Sequence, residues 1–211
     1  MSDTLAETIG RKYRDAQVAI DGEQYEEARS ALESLLPLLE QTGDRSGQIR
    51  VLDELGQVHE LLGDLPSARF SFESALQRAP ADCGPTRLRL LHRLAHAWRP
   101  SDPARAQALF RQCADLADSL GDPRAAALSR AMIGQIEITS GDPAGGMTRL
   151  LAALVELPPD APERSHLIEH AAYLSEQLPR GLFLRLLESH VPPGPLALAL
   201  VAAVANRQSR R

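Results

Sequence analysis

Two related segments of the sequence, each 22 residues long, begin and end with Gly-Asp. The first copy, GDRSGQIRVLDELGQVHELLGD, starts at Gly43, and the second, GDPRAAALSRAMIGQIEITSGD, starts at Gly121. The copies are 78 residues apart, and steps of half that distance from Gly56 reach Ala95 and Gly134, each of which follows an apolar residue. A period of about 39 residues constrains the chain to a row of similar units, each burying its apolar surface against its neighbours.

Each unit has the residue spacing of two helices. In the unit around Gly56, small and apolar residues recur at steps of three and four, which is the spacing of one face of an α-helix. The first helix of this unit carries Leu52, Leu55, Gly56 and His59 on that face, and the second carries Ala68, Phe72 and Ala75. A small residue lets two helices approach closely, and an aromatic ring fills the space beside it. The Gly-Asp pair between the helices predicts a left-handed helix end followed by an N-capping carboxylate.

The composition agrees with an all-α fold. Ala, Leu, Glu, Gln and Arg are abundant and β-branched residues are scarce, so helix propensity is high along the whole chain. With 211 residues, of which 44% are hydrophobic, we expect one folded domain. The net charge of −5 disfavours a general nucleic-acid binder, because such a protein needs a positive face.

We expect a cytoplasmic protein that does not insert into a membrane. The stretch MSDTLAETIGRKYRD lacks the apolar core of a signal peptide, and the longest apolar run, residues 196–205, is too short to cross a bilayer. Cys83 and Cys113 are far apart in sequence and suit reduced thiols. Lys12 is the only lysine among 23 basic residues, a bias that favours a GC-rich bacterial source.

The stretch from Leu52 to Pro80, L-x-x-L-G-x-x-H-x-x-x-G-D-x-x-x-A-x-x-x-F-x-x-A-x-x-x-x-P, resembles a tetratricopeptide repeat, with His59 in place of the usual tyrosine. The long period and the Gly-Asp linker resemble the extended-repeat subclass of that family. The resemblance implies an α-solenoid of helical hairpins, with four repeats over residues 4–157 and a degenerate fifth over 162–190. It also implies a non-enzymatic adaptor or scaffold that binds another protein and uses no cofactor.

In this family the first helices of the repeats line a concave face, so the resemblance implies a partner-binding surface there. The positions that would face the partner are polar or basic in the middle of the chain and apolar further along. They are Arg50, Arg89, His92, Arg93, His96 and Arg99, followed by Leu128, Met132 and Ile138. This combination suits a peptide or a helix that carries an acidic group beside an apolar anchor.

An alternative interpretation assigns no partner to the basic positions. Arg89, Arg93 and Arg99 would then pair with Asp53, Glu54 and Glu60 across the groove and form an ordinary solvated surface.

One specificity known in the family can be tested on the sequence. Co-chaperones of this family clamp a C-terminal carboxylate with basic residues and two asparagines. The resemblance would put those asparagines where Val18 and Glu54 stand, so we do not expect that specificity here.

Residues 195–208, after the break VPPGP, predict a helix that is apolar on all sides for most of its length. We expect this helix to cap the last repeat, because the end of a repeat array needs a cover. Three alternatives are that it fills the protein's own groove, docks on a partner, or joins two copies in a homo-oligomer.

Two other functions are open. One is a bacterial secretion or assembly chaperone, a class that also consists of short helical-repeat proteins. The other is a metal-dependent hydrolase, because HLIEH matches the H-x-x-E-H pattern in which His166 and His170 would bind zinc and Glu169 would activate water. No third ligand can be assigned, so we expect neither a metal site nor an enzyme.

Overall fold

The computed structural model describes residues 4–179 and 181–209, and in that part every regular element is helical. Eleven α-helices follow one another there: α1 (Leu5–Asp21), α2 (Tyr25–Gln41), α3 (Arg45–Leu61), α4 (Leu65–Arg78), α5 (Gly84–Trp98), α6 (Pro103–Leu120), α7 (Pro123–Thr139), α8 (Pro143–Glu156), α9 (Glu163–Leu174), α10 (Leu182–His190) and α11 (Pro195–Gln208). The predicted all-α fold is confirmed. Among the described residues, no helix combines the length and the apolar character that crossing a membrane requires.

The helices form two compact units, the first ending at Ser101 and the second beginning at Asp102. In the first unit α1 packs on α2 and α3 packs on α4, while α2 also contacts α3 and α4 also contacts α5. Helices α3 and α5 therefore share α4 as a neighbour. Helices α1 to α8 lie within residues 4–157, two for each predicted repeat, and the grouping into four repeats stays a prediction.

The second unit has its own hydrophobic core, in which Met147, Leu150 and Leu154 are fully buried. Helix α7 packs on α6 and α8, α10 packs on α8, and α9 packs on α8 and α11. Leu200 and Ala203 are the buried residues of α11. The helix predicted as a cap thus covers α9, within the region assigned to a degenerate fifth repeat.

The Gly-Asp pairs form the turns that their chemistry predicts. Gly43, Gly63, Gly121 and Gly141 all have φ between 67° and 107°, in the left-handed region. The aspartate that follows each glycine caps the next helix, because its carboxylate accepts a hydrogen bond from the backbone N–H three residues later. Each turn is therefore specified by two adjacent residues.

Two other glycines allow the paired helices to approach closely. A Cβ at Gly56 in α3 would collide with the ring of Phe72 in α4. A Cβ at Gly134 in α7 would lie 2.6 Å from the backbone oxygen of Gly146 in α8. The small residues of the repeat are therefore positions of helix–helix contact.

We predict that Gly134→Ala destabilises the protein by about 2–3 kcal/mol, because the added methyl group meets backbone that cannot move without separating α7 from α8. Gly10→Ala is the matched control. An added Cβ at Gly10, inside α1, meets only the side chain of Arg14 at 3.5 Å, and alanine there should stabilise by about 0.5–1 kcal/mol. Urea unfolding followed by circular dichroism measures both, and equal effects of the two substitutions would contradict the close approach.

A second pair of substitutions tests the position of α11. Leu200 is fully buried, so we expect Leu200→Ala to cost about 2–5 kcal/mol of unfolding free energy. Leu198 is 71% exposed on the same helix, and Leu198→Ala should change stability by less than about 0.5 kcal/mol. Similar melting temperatures for the two variants would contradict the covering role of α11.

Candidate partner-binding cleft

A cleft of about 690 Å³ opens between α3 and α5 in the first unit. The start of α3 and the segment between α4 and α5 close one end of the cleft. Its lining is rich in arginine, and the residues are Arg45, Ser46, Ile49, Arg50, Asp53, Glu54, Gln57, Pro80, Cys83, Thr86, Arg89 and Arg93. All of them lie within one compact unit.

Asp53 stands at the centre of this lining and is only 5% exposed. Its Oδ2 lies 3.0 Å from Nε of Arg89, and its Oδ1 lies 3.0 Å from Nε of Arg93. The second contact is an ion pair without hydrogen-bond alignment. One buried carboxylate thus holds two guanidinium groups against the wall of the cleft. Because one negative charge faces two positive charges, the group keeps a surplus positive charge.

A second polar cluster joins α1 to α3 beside the cleft. The hydroxyl of Tyr13 and Nε2 of Gln17 each donate a hydrogen bond to the carboxylate of Glu54. The guanidinium of Arg50 lies 4.5 Å from the centre of the Tyr13 ring, in cation–π geometry. Glu54 is therefore satisfied within the protein, and Arg50 is exposed above its ring support.

The pKa values of this cluster reflect its partial burial. Burial and, second, the hydrogen bond to Glu54 raise the pKa of Tyr13 to about 12. Burial also raises the pKa of Glu54, while the hydrogen bond from Tyr13 and the charge of Arg50 oppose that shift. The tyrosine consequently stays protonated at neutral pH and can keep donating to Glu54.

The structure brings together three of the predicted binding residues, since Arg50, Arg89 and Arg93 all line the cleft. The ring centres of His92 and His96, also on α5, are 4.6 Å apart. Arg99 is exposed at the C-terminal end of α5. The predicted pairing of Arg89 and Arg93 with an acidic residue occurs, with Asp53 as the partner of both.

The residues that the resemblance implied as an apolar anchor are partly or fully buried in the second unit. Leu128 and Met132 are half-buried on α7 in the second unit, and Leu128 packs against its core. Ile138 is 4% exposed, so its prediction as a contact residue is wrong. The absence of a side chain at Gly146 brings α8 against α7 at this level, and Cγ1 of Ile138 occupies the space where a Cβ of residue 146 would lie.

Sequence reasoning missed several residues of the first unit. Arg45 and Ile49 line the cleft, and the signal for them was available, because they precede Asp53 by eight and four residues on one face of α3. It also missed a smaller hollow of about 230 Å³ between α1 and α3. This hollow is lined by Gln17, Ile20, Glu54, Gln57, Val58 and Leu61.

The HLIEH stretch lies on α9. His166 and Glu169 are exposed, His170 is half-buried, and the two histidine rings are 6.3 Å apart. In the part of the chain that the structure describes, no group of three or more His, Cys, Asp or Glu side chains is arranged to hold a metal ion.

The histidine pair on α5 predicts a loss of stability in acid. Burial, and then the charges of His92 and Arg99, lower the pKa of His96 to about 4. The unfolded chain takes up this proton near pH 6.5, so stability is complete above that pH and is lost as the pH falls towards 4. After allowance for solvent screening, we expect this group to account for a loss of about 2 kcal/mol between pH 7 and pH 4.5.

Urea unfolding of the wild type and of His96→Gln at the two pH values measures this loss. The variant should lose about 2 kcal/mol less than the wild type on acidification, because glutamine takes up no proton. His166→Gln, at an exposed site, is the control and should behave like the wild type. If His96→Gln and the wild type lose the same amount, burial of His96 does not contribute to acid sensitivity.

Comparison with known proteins gives one family match. Residues 16–81 match the model of the family described as tetratricopeptide repeat. That segment covers α2, α3 and α4, together with Gln17, Arg50 and Glu54 of the polar cluster beside the cleft but not Tyr13. No curated protein matches the chain.

Solved structures with the same fold are numerous, although their sequences are distant. The apo form of RapI aligns with a TM-score of 0.78 at 14% identity over 89% of this chain, which spans about half of RapI (54%). A putative kinesin light chain from Podosopora anserina, with nearly identical TPR-like repeats, aligns with a TM-score of 0.70 at 16% identity over 98% of this chain and 99% of its own. YrrB, described as a TPR protein with an unusual peptide-binding site, gives 0.55 at 16% identity over 93% and 96%. The predicted fold class, an α-solenoid of helical repeats, is confirmed by these likenesses.

Proposed function

We propose that this chain, of which residues 16–81 match the tetratricopeptide-repeat family, is an adaptor that binds an acidic segment of a partner protein in the cleft between α3 and α5. The fold is one of protein–protein interaction, and the identity of the binding surface is our inference. The extended-repeat subclass, a cytoplasmic location and a bacterial source remain sequence-based predictions, as do the chaperone role and homo-oligomerisation.

The observation that carries the proposal is the charge of the cleft. Arg45, Arg50, Arg89 and Arg93 line it, and the acidic side chains among the lining residues are Asp53 and Glu54. The cleft therefore has an excess of positive charge in a chain whose net charge is −5. A local field opposite in sign to that of the whole molecule favours a specific acidic ligand over general polyanion binding.

The arginines are also arranged for recognition. Asp53 restricts the side chain of Arg89, and the Tyr13 ring restricts that of Arg50. Both arginines are exposed to a ligand. Guanidinium groups that are held in place before binding lose less side-chain entropy when they engage a carboxylate. The peptide-binding site named for YrrB, a structural neighbour, gives a precedent within the same fold.

We expect the double substitution Arg50→Ala/Arg89→Ala to weaken the binding of an acidic ligand by about tenfold to hundredfold, because it removes two charge-assisted hydrogen-bond donors. A random dodecapeptide library selected on the wild-type protein supplies the ligands, and the selected peptides should be enriched in Asp and Glu. Isothermal titration then measures the affinity of one selected peptide for each variant.

Arg111→Ala/Arg185→Ala is the matched control. It makes the same change in net charge at two exposed arginines of the second unit, and the affinity should stay within about twofold of the wild type. Circular dichroism verifies that helicity is unchanged. Selected peptides without acidic enrichment, or equal affinity for the wild type and the cleft variant, would contradict the proposal.

A further inference from the structure

The small hollow between α1 and α3 differs in chemistry from the cleft. Ile20 and Leu61 give it an apolar lining, with the buried Val58 beneath them, and Leu61 is 58% exposed although it is a large aliphatic residue. Val18, two residues before Ile20 on α1, is also exposed. The first unit therefore presents aliphatic side chains to solvent at the C-terminal end of α3.

The hollow and the cleft adjoin each other. Glu54 and Gln57 line both of them, so both belong to one surface that runs along α3. The arginine-rich part lies towards the N-terminal end of α3 and the aliphatic part towards its C-terminal end. A ligand that lies along α3 would meet these two kinds of chemistry in sequence.

Glu54 and Gln57, the residues shared by the cleft and the hollow, make hydrogen bonds within the protein. Glu54 accepts hydrogen bonds from Tyr13 and Gln17, and Nε2 of Gln17 makes its bond at 3.0 Å. Nε2 of Gln57 donates to the backbone oxygen of Asp53 at 3.3 Å. The carboxylate of Glu54 also repels an acidic ligand group, which restricts that group to the arginine-rich end.

The distance between the two parts follows from helix geometry. Val58 and Leu61 lie eight and eleven residues after Arg50, which corresponds to about 12–16 Å along the axis of α3. An extended peptide covers that distance with about four or five residues, at about 3.3 Å per residue.

We propose that the partner segment is an extended peptide with two anchors, an acidic side chain for the arginine-rich cleft and an aliphatic side chain for the hollow, four or five residues apart. This inference rests on the proposed function and adds the chemistry of the partner to it. An acidic group and an apolar anchor, the combination predicted from the sequence, would then both bind within the first unit, with Ile20 and Leu61 in place of the residues predicted on α7. Charge complementarity at one end and burial of aliphatic surface at the other favour this occupant.

A series of synthetic peptides tests the spacing. Each is labelled with fluorescein at its N-terminus and carries Glu-Glu, a Gly-Ser spacer of one to six residues, and a C-terminal leucine amide. A spacer of one residue reaches at most about 7 Å between the anchors, and a spacer of four reaches about 18 Å. Fluorescence anisotropy with the wild-type protein should show about tenfold tighter binding with the four-residue spacer than with the one-residue spacer.

Two further comparisons identify the anchors. Replacing the leucine by glycine should abolish the gain from the four-residue spacer. Leu61→Ser should weaken the leucine peptide about tenfold and leave the glycine peptide unchanged, because only the first peptide uses the hollow. Phe70→Ser is the matched control, since Phe70 is an exposed apolar residue of α4 that lines neither cavity, and it should change neither affinity.

The outcomes separate this inference from the proposed function. If all spacers and the glycine peptide bind equally, and Arg50→Ala/Arg89→Ala weakens them all, binding of an acidic group in the arginine-rich cleft stands and the second anchor is wrong. If no member of the series binds while library-selected acidic peptides do, the two-anchor pattern is likewise wrong.

Analytical ultracentrifugation at the same protein concentrations tests a different occupant. A wild-type dimer that dissociates upon Arg50→Ala/Arg89→Ala would mean that a second copy of the chain fills the cleft, which would overturn the peptide proposal. A monomer that binds the four-residue-spacer peptide supports it.

Discussion

The close approach of α3 to α4 and of α7 to α8 depends on the lack of a side chain at Gly56 and Gly134, and it positions the elements around these pairs. Gly56 accepts the ring of Phe72, and Gly134 accepts the backbone at Gly146. In the first unit this contact fixes α4 against α3, and α4 also holds α5. The cleft exists because α3 and α5 stand beside each other on a common support.

The charge of the cleft depends on one buried acid. Burying an ionised carboxylate is costly unless it is paired, and Asp53 is paired with both Arg89 and Arg93. The same contacts restrict the side chains of both arginines to the wall of the cleft. Asp53 thus stabilises the local structure and orients the groups to which we assign recognition.

Much of this architecture could be predicted from the sequence, because the relevant signals are local. The Gly-Asp turns follow from the chemistry of two adjacent residues, and the small positions follow from spacing along one helix. The arginines of α3 and α5 were implied by the resemblance to the repeat family. The burial of Ile138 could not be predicted in this way, since it depends on how closely α8 approaches α7. The hollow at Leu61 was missed for a similar reason: periodicity assigns a residue to a face, and only the neighbouring helix decides whether that face is covered.

The Gly-Asp turns have a consequence for how such a chain can change over generations. Each turn is encoded by two adjacent codons and needs no residue from elsewhere in the protein to adopt its conformation. A stretch of gene that includes its own turn can therefore be duplicated and still fold beside its parent copy. The segments at Gly43 and Gly121 keep their Gly-Asp pairs at the same spacing, which is the pattern that such a duplication leaves.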